Sequence, residues 1–392
     1  MDQQSGSQGI IGEFLKKLLD KKYCEIYVSH DVDSVIAASI VIRLMSAHRI
    51  DVGVSSASTL LTTIPPDTSL VIGSKPPRGG GGLVILRRRD ESSKISEWVI
   101  AYASGSISQE VLGAVSQFYQ VPRELRGAAV AGHMASFSKN LLSSVDDKII
   151  SALGEIFGSD ASHIKEGLKV MGFGVWDSLS YVFENTLDPY IPGVTGNPSK
   201  VSEIVGSIQQ SDKESLKKLS KAINDLTGLE LVSVGLKPIY WDEYPFVDPY
   251  ELHICLLASI ASGSPEVSSY ISTGMPGLSR IAYRCLDHKR MIIDYLKDII
   301  DKSKRVSTYS VKGRMVTIYP KVSVNIIWPV HRVLALLSHY NGYAVYEIEG
   351  GYAVPVDKTI DPVSMKGLRI TQGGLAIVES VQEAAEVVSL LQ

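Results

Sequence analysis

Short apolar runs alternate with helix-like segments from about Gly9 to Ser138, and this alternation is the strongest constraint on the fold. The apolar runs are CEIYVS, IDVGVSS, TSLVIGS, GGLVILR and SEWVIAYAS, and the clearest helical segment is SVIAASIVIRLMSAH. Strands that alternate with helices indicate a parallel or mostly parallel sheet with helices on its faces. In such sheets ligands bind at the carboxyl ends of the strands, and Asp31 and Asp33 follow the first strand.

The remainder of the chain has a different pattern, and 392 residues are too many for one ordinary core. Residues 146–305 have helical periodicity with charged faces, interrupted by LDPYIPGVTGNPSK, whose prolines and glycines favour an ordered loop. From 306 to 392 an α/β pattern returns, and the Gly-Gly pair in YEIEGGYAVPV marks a hairpin turn. We therefore expect an α/β domain over 1–145, a helical insertion with connecting helices over 146–305, and a smaller α/β domain over 306–392.

Composition excludes several classes of protein. No apolar run approaches the roughly 20 residues that a membrane span requires, and the polar N-terminus MDQQSGSQG lacks the features of a secretory signal. We therefore expect an intracellular protein without membrane contact. The formal net charge of −3 neither supports nor excludes nucleic-acid binding, which would need a local basic surface.

The three cysteines, Cys24, Cys255 and Cys285, share no short spacing. Their pattern fits neither a disulfide framework nor a zinc site. We therefore expect three buried thiols that contribute to apolar packing.

Two aspartates one residue apart, Asp31 and Asp33, stand between the first strand and the helix after it. Two carboxylates at a strand end can converge on one divalent cation, because Mg²⁺ and Mn²⁺ prefer oxygen ligands. Alternatively, one aspartate caps the helix by accepting a hydrogen bond from an unpaired N–H group, and the other is a turn residue. Spacing alone favours the capping role.

Three segments carry a resemblance to a known family. SHDVDSVIAASIVIRLM resembles motif one of the DHH phosphoesterase superfamily, and more closely that of the archaeal RecJ-like and cell division cycle protein 45 family. Residues 167–197, with the string DPYIPGVTGN, resemble the insertion of archaeal RecJ-like proteins, and the C-terminal end has the layout of a DHHA1 domain. The resemblance implies a DHH-type parallel-sheet domain with a helical insertion, followed by a smaller DHHA1-type α/β domain.

The metal ligands of active DHH enzymes are mostly missing from this chain. Those enzymes use two metal ions to turn a bridging water into a nucleophile, and half a ligand set cannot hold both ions. The residues at the positions of the lost ligands are Gly73 and Ser74 in motif two, Arg87, Arg88 and Arg89 in motif three, and His133 and Met134 in motif four. Asp31 and Asp33 are the only clear survivors, so the resemblance implies a catalytically inactive member that needs no cofactor.

The resemblance also implies a function and partners. A non-catalytic archaeal member of this family would be a DNA replication factor that joins GINS and the MCM ring in the replicative (CMG) helicase, and it could hold single-stranded DNA between its domains. The alternative is a single-strand DNA exonuclease or nucleotide phosphodiesterase that depends on Mn²⁺ or Mg²⁺. A third candidate is a stand-alone single-strand binding protein.

Two further groups of residues are candidates for contact with DNA or a partner. Arginines lie close in sequence around the position of the lost metals and could meet phosphates or acidic groups, although a solvated charge run is an equally good interpretation. They are Arg78, Arg87, Arg88 and Arg89. The family's phosphate-binding glycine-histidine loop is ITQGGLAIV here, with Gly373 and Gly374 but no histidine.

For Asp31 and Asp33 we expect a structural role in bracing the strand-to-helix turn.

Overall fold

The computed structural model describes residues 5–87, 98–157, 163–206, 208, 212–301, 306–311, 314–356 and 367–391. The N-terminal part consists of α1 (Ser5–Leu19), β1 (Tyr23–Val28), α2 (Val32–Ala47), β2 (Asp51–Ser56), β3 (Ser69–Ile72), β4 (Gly82–Arg87), β5 (Trp98–Ala103), α3 (Ile107–Ser116) and α4 (Arg123–Phe137). The strands form one sheet in the order β2-β1-β3-β4-β5, and all neighbours are parallel. The predicted parallel sheet is confirmed.

The middle of the chain is mainly helical, as the sequence predicts. Its elements are α5 (Asp147–Ser151), α6 (Gly154–Phe157), β6 (Ile164–Leu168), α7 (Leu179–Asn185), α8 (Pro198–Val205), α9 (Lys213–Thr227), β7 (Val234–Pro238), α10 (Pro249–Ile260), α11 (Ser264–Ser272) and α12 (Met275–Leu296). Strands β6 and β7 form an antiparallel pair that the sequence does not indicate. Exposed Lys165 and Glu166 leave β6 without the apolar alternation of a half-buried strand.

The C-terminal part forms a second, mixed sheet. Its elements are β8 (Ser307–Val311), β9 (Arg314–Tyr319), α13 (Ile327–Leu336), β10 (Tyr343–Ile348), β11 (Gly351–Pro355), β12 (Leu375–Val378) and α14 (Val381–Leu390). The order of these described strands is β12-β11-β10-β9-β8, with a parallel step only between β9 and β10. Strands β10 and β11 form the predicted hairpin, so the α/β character of this part is confirmed.

Helix α2 is the centre of the N-terminal part. It is buried along almost its whole length, and it contacts α3, α4 and α11 as well as the sheet. Small side chains at Ala37, Ala38 and Ser39 allow these neighbours to approach closely. None of the helices in the described ranges is both long enough and apolar enough to cross a bilayer.

Buried apolar clusters extend across the three predicted segments of the chain. One buried apolar cluster includes Ile11 of α1, Ile254 of α10 and Leu334 of α13. A second joins Tyr27 and Val71 of the first sheet to Val345 of the second. The domain boundaries near 145 and 306 stay a prediction, because apolar packing continues across both of them.

The expectation of three free thiols is wrong for two of them. Cys24 is a buried thiol as predicted, but Cys255 and Cys285 form a disulfide between α10 and α12. The packing of the two helices brings the Cα atoms of these cysteines to 5.3 Å although they are 30 residues apart in sequence. Sequence spacing does not reveal such a contact.

A buried polar contact joins the loop after α7 to α10. The buried carboxylate of Asp188 accepts hydrogen bonds from the backbone N–H groups of Leu142 and Ser143 at 2.7 and 2.9 Å, and lies 3.9 Å from Nδ1 of His253. Burial raises the pKa of Asp188 to about 7, although these N–H groups oppose the rise. Burial also lowers the pKa of His253 to about 3. Near pH 5 both side chains are therefore neutral in the folded protein.

The disulfide yields a prediction about stability. Replacing both Cys255 and Cys285 by serine should lower the free energy of unfolding by about 3 kcal/mol, because the cross-link restricts the unfolded chain. Urea unfolding followed by circular dichroism measures the loss, and a Cys24→Ala variant is the control. Thiol titration of the unfolded, unreduced wild type should find Cys24 alone. Detection of all the cysteines as thiols would contradict the cross-link.

Asp188 and His253 should have opposite effects on the pH dependence of stability. Between about pH 4.5 and 6.5 Asp188 holds one proton in the folded state, and His253 holds one in the unfolded state. Because the two states bind equal numbers of protons at this pair, the pair gives no pH dependence of the free energy of unfolding in this range. In Asp188→Asn, stability should rise with pH by up to about 1.4 kcal/mol per unit, because only unfolded His253 binds a proton. In His253→Gln it should fall with pH. Urea unfolding across this range measures both slopes, and equal slopes in the two variants would contradict the pairing.

Candidate functional site

The candidate site lies at the carboxyl edge of the first sheet, where Asp31 follows β1. Asp31 is the N-cap of α2: its Oδ1 accepts a hydrogen bond from the backbone N–H of Ser34 at 3.0 Å, and its Oδ2 accepts one from the Ser34 hydroxyl at 2.6 Å. A carboxylate is favourable there because the first N–H groups of a helix have no partner within it. Asp31 therefore has the capping role that the sequence predicts.

Asp33 is fully buried and joins three helices. Its carboxylate accepts hydrogen bonds from the backbone N–H groups of Ile107 and Ser108 at 2.8 and 2.9 Å, which are the first N–H groups of α3. It also accepts hydrogen bonds from the hydroxyls of Ser108 and of Ser136 in α4. Asp33 braces the turn as expected, and both of its oxygens are occupied by donors of the chain itself.

Arg87, the last residue of β4, supplies the positive charge of the site. Its Nη2 lies 2.8 Å from Oδ1 of Asp31 and 3.3 Å from Oδ2 of Asp33, so one guanidinium nitrogen bridges both carboxylates. The side chain of Arg87 is 32% exposed, whereas that of Asp33 is inaccessible. The arginine thus covers the buried carboxylate on its outer side.

The electrostatic balance keeps Asp31 ionised. Burial by itself would raise the pKa of Asp31, but the charge of Arg87 and the two hydrogen bonds from Ser34 together hold this pKa below its usual range. The stability that Asp31 contributes is therefore complete above about pH 4 and is lost as the pH falls through the lowered pKa.

Gly73 occupies the position where the family resemblance predicts an aspartate of motif two. It follows β3 with a φ of +75°, which favours glycine, and a Cβ there would lie 2.0 Å from Oγ of Ser34. The Ser34 hydroxyl is one of the two groups that donate hydrogen bonds to Asp31. A side chain at position 73 would therefore displace this hydroxyl from Asp31.

His133, at the position of motif four, is buried in α4. Its Nδ1 lies 3.3 Å from the hydroxyl of Ser106, its ring packs against Phe137, and burial lowers its pKa despite the charge of Asp33. In the part of the chain that the structure describes, no group of three or more His, Cys, Asp or Glu side chains could hold a metal ion.

The predicted arginine cluster is only partly described. Arg87 points inward to the two aspartates, and Arg78 is exposed in the loop between β3 and β4. Arg88 and Arg89 lie outside the described residues. A contact of these arginines with DNA or an acidic partner stays a prediction.

His30, directly before the aspartates, joins the two sheets. Its Nε2 is hydrogen-bonded to the carbonyl oxygen of Val356, and its ring stacks on Trp328 of α13 with centroids 5.3 Å apart. Gly374 has a φ of +77°, and a Cβ there would lie 2.3 Å from the His30 ring. The C-terminal part is therefore in direct contact with the end of β1.

The neighbouring glycine, Gly373, also packs within the chain. Its carbonyl oxygen accepts a hydrogen bond from Nε1 of Trp328 at 2.7 Å, and a Cβ would lie 2.3 Å from the carbonyl oxygen of Ala261. We call the set His30, Trp328, Val356, Gly373 and Gly374 the interdomain clasp. Both glycines of the predicted phosphate-binding loop belong to it.

Several residues of this region have no prediction from sequence: Ser34, Ser108 and Ser136 as donors, and His30 and Trp328 in the interdomain clasp. The sequence does contain one local signal, which marks the start of α3. The string SISQ at 106–109 has the pattern of a helix start, and Ser106 is indeed the N-cap of α3. The contact of that helix end with Asp33 has no local signal, because 74 residues separate Asp33 from Ile107.

No protein-family model and no curated protein matches the chain. Among solved structures, CDC45 from Entamoeba histolytica matches with a TM-score of 0.61 and 9% identity, covering 99% of each chain. RecJ from Thermus thermophilus in complex with Mn²⁺ matches with a TM-score of 0.44 and 11% identity, covering 98% of this chain and 54% of that one. The chain has the CDC45 fold over its whole length, and the predicted resemblance is confirmed at the level of the fold.

The ion pair leads to a prediction about stability. Arg87→Ala should lower the free energy of unfolding by about 2 kcal/mol, because it leaves the buried Asp33 carboxylate without its countercharge. Urea unfolding at neutral pH measures the loss, and Arg78→Ala, an exposed arginine, is the matched control with an expected change of at most about 0.5 kcal/mol.

The effect of Arg87→Ala should also depend on pH. It should be largest above about pH 5 and shrink as the pH falls through the lowered pKa of Asp31, because a protonated Asp31 no longer gains from the guanidinium. An equal stability of Arg87→Ala and wild type at pH 7 would contradict the role of the guanidinium.

Proposed function

We propose that the protein is a non-catalytic DNA replication factor of the CDC45 kind, an archaeal member of the DHH superfamily that associates with GINS and the MCM ring. The observation that carries the proposal is the position of Arg87, whose guanidinium forms ion pairs with both Asp31 and Asp33 within the CDC45 fold. The two aspartates of motif one thereby serve the structure of the protein.

The chemistry of the site favours this function over hydrolysis. A metal ion activates water because it offers an open coordination position to a ligand, whereas a guanidinium offers only hydrogen-bond donors. The oxygens of Asp33 already accept four hydrogen bonds from residues 107, 108 and 136. The residues present therefore do not fit a two-metal centre.

The interdomain clasp supports a role as a scaffold. It fixes the C-terminal part against the end of β1, and a buried apolar cluster shared by the two sheets extends this contact. Such an interface presents partner surfaces in a fixed arrangement. In this proposal any contact with single-stranded DNA involves exposed basic residues such as Arg78, because Gly373 and Gly374 are covered by Ala261 and His30.

A nuclease assay tests the absence of catalysis. Incubation with end-labelled single-stranded DNA and Mn²⁺ should release no more nucleotide than a protein-free control, because the Asp33 oxygens that would bind a metal already accept hydrogen bonds from the chain. Gel electrophoresis of the labelled strand measures the release. Degradation by the wild type that disappears in Asp31→Ala would establish the exonuclease or phosphodiesterase alternative instead.

A binding assay tests the partners. The purified protein and its cognate GINS should elute from size-exclusion chromatography as one complex at low salt, and addition of the MCM ring should give a larger one. Light scattering of the eluted peaks measures the masses. Separate elution of the protein and GINS at low salt would contradict the proposal, and salt-dependent DNA binding without a GINS contact would favour a stand-alone DNA-binding protein.

A further inference from the structure

A groove with exposed apolar side chains and an acidic rim lies in the C-terminal part between β12 and α14. Its volume is about 630 Å³. Ile377 of β12 and Leu390 of α14 line it and are 38% and 50% exposed. Large apolar side chains that are exposed together in a groove are typical of binding surfaces.

Three residues on one face of helix α14 line this groove. Glu383, Glu386 and Leu390 follow each other at three- and four-residue steps, so they lie along one face of the helix. The opposite face, with Ala384 and Val388, is buried against the sheet. The three residues are therefore fixed in place by a packed helix.

The charge of the rim selects the kind of ligand. Glu379, Glu383 and Glu386 line the groove, and Arg369 is the one cation among its described lining residues. The backbone N–H of Glu379 donates a hydrogen bond to Glu383, which orders the rim at the end of β12. Three carboxylates repel the phosphates of nucleic acids and attract ammonium or guanidinium groups.

We propose that this groove binds a segment of a partner protein that carries lysine or arginine beside apolar side chains. The apolar side chains of the segment cover Ile377 and Leu390, and its cations pair with the rim carboxylates. The groove lies at the edge of the second sheet, since β12 is the last of its described strands. This inference does not depend on the proposed replication function.

A peptide-binding experiment tests the groove. The probe is a short fluorescent peptide with lysine and leucine at helical spacing, and fluorescence anisotropy with the full chain measures its affinity. We expect micromolar binding that weakens as salt is added. The double variant Glu383→Lys/Glu386→Lys should weaken it at least about tenfold, and Leu390→Ser should weaken it as well.

A matched control separates the groove from general charge effects. Glu13→Lys/Glu214→Lys makes the same change in net charge at exposed positions elsewhere and should leave the affinity unchanged. Circular dichroism verifies that each variant is folded. Failure of nuclease or GINS assays would leave this result unaffected.

Several outcomes would overturn the inference. One is the absence of peptide binding, and another is equal binding by the rim variant and the control variant. Displacement of the peptide by single-stranded DNA would assign the surface to nucleic acid. A concentration-dependent dimer that disappears in Leu390→Ser would assign the groove to a second copy of the chain.

Discussion

One guanidinium holds together the segments that meet at the carboxyl edge of the first sheet. Asp33 is inaccessible to solvent, and an unpaired carboxylate at such a place would cost several kcal/mol. Arg87 of β4 provides the countercharge, while the N-terminus of α3 and a hydroxyl of α4 provide donors. The positions of α2, α3 and α4 relative to the sheet thus depend on a single buried charge and its partners.

Two glycines of the same region permit close contacts within the chain. Gly73 fits against Ser34, and Gly374 fits against His30, at positions where the family resemblance predicts parts of a metal or phosphate site. In each case a small residue permits a close contact within the chain. The carboxyl edge of this parallel sheet is therefore packed closely against neighbouring parts of the chain.

Sequence reasoning succeeded where the signal was local. The alternation of apolar runs predicted the parallel sheet, and the helix start after β1 predicted the capping role of Asp31. It failed for Cys255 and Cys285, which lie 30 residues apart on different helices, and for the β6–β7 pair, because β6 lacks apolar alternation. Both failures concern contacts between elements that are distant along the chain.

By itself the sequence determined the class of the fold and the position of Asp31 and Asp33 at a strand end. The tertiary structure decided that Arg87 pairs with both aspartates and that His30 and Gly374 join the two sheets. The physical reason is that periodicity and capping act over a few residues, whereas ion pairs and close glycine contacts require segments that only the folded chain brings together.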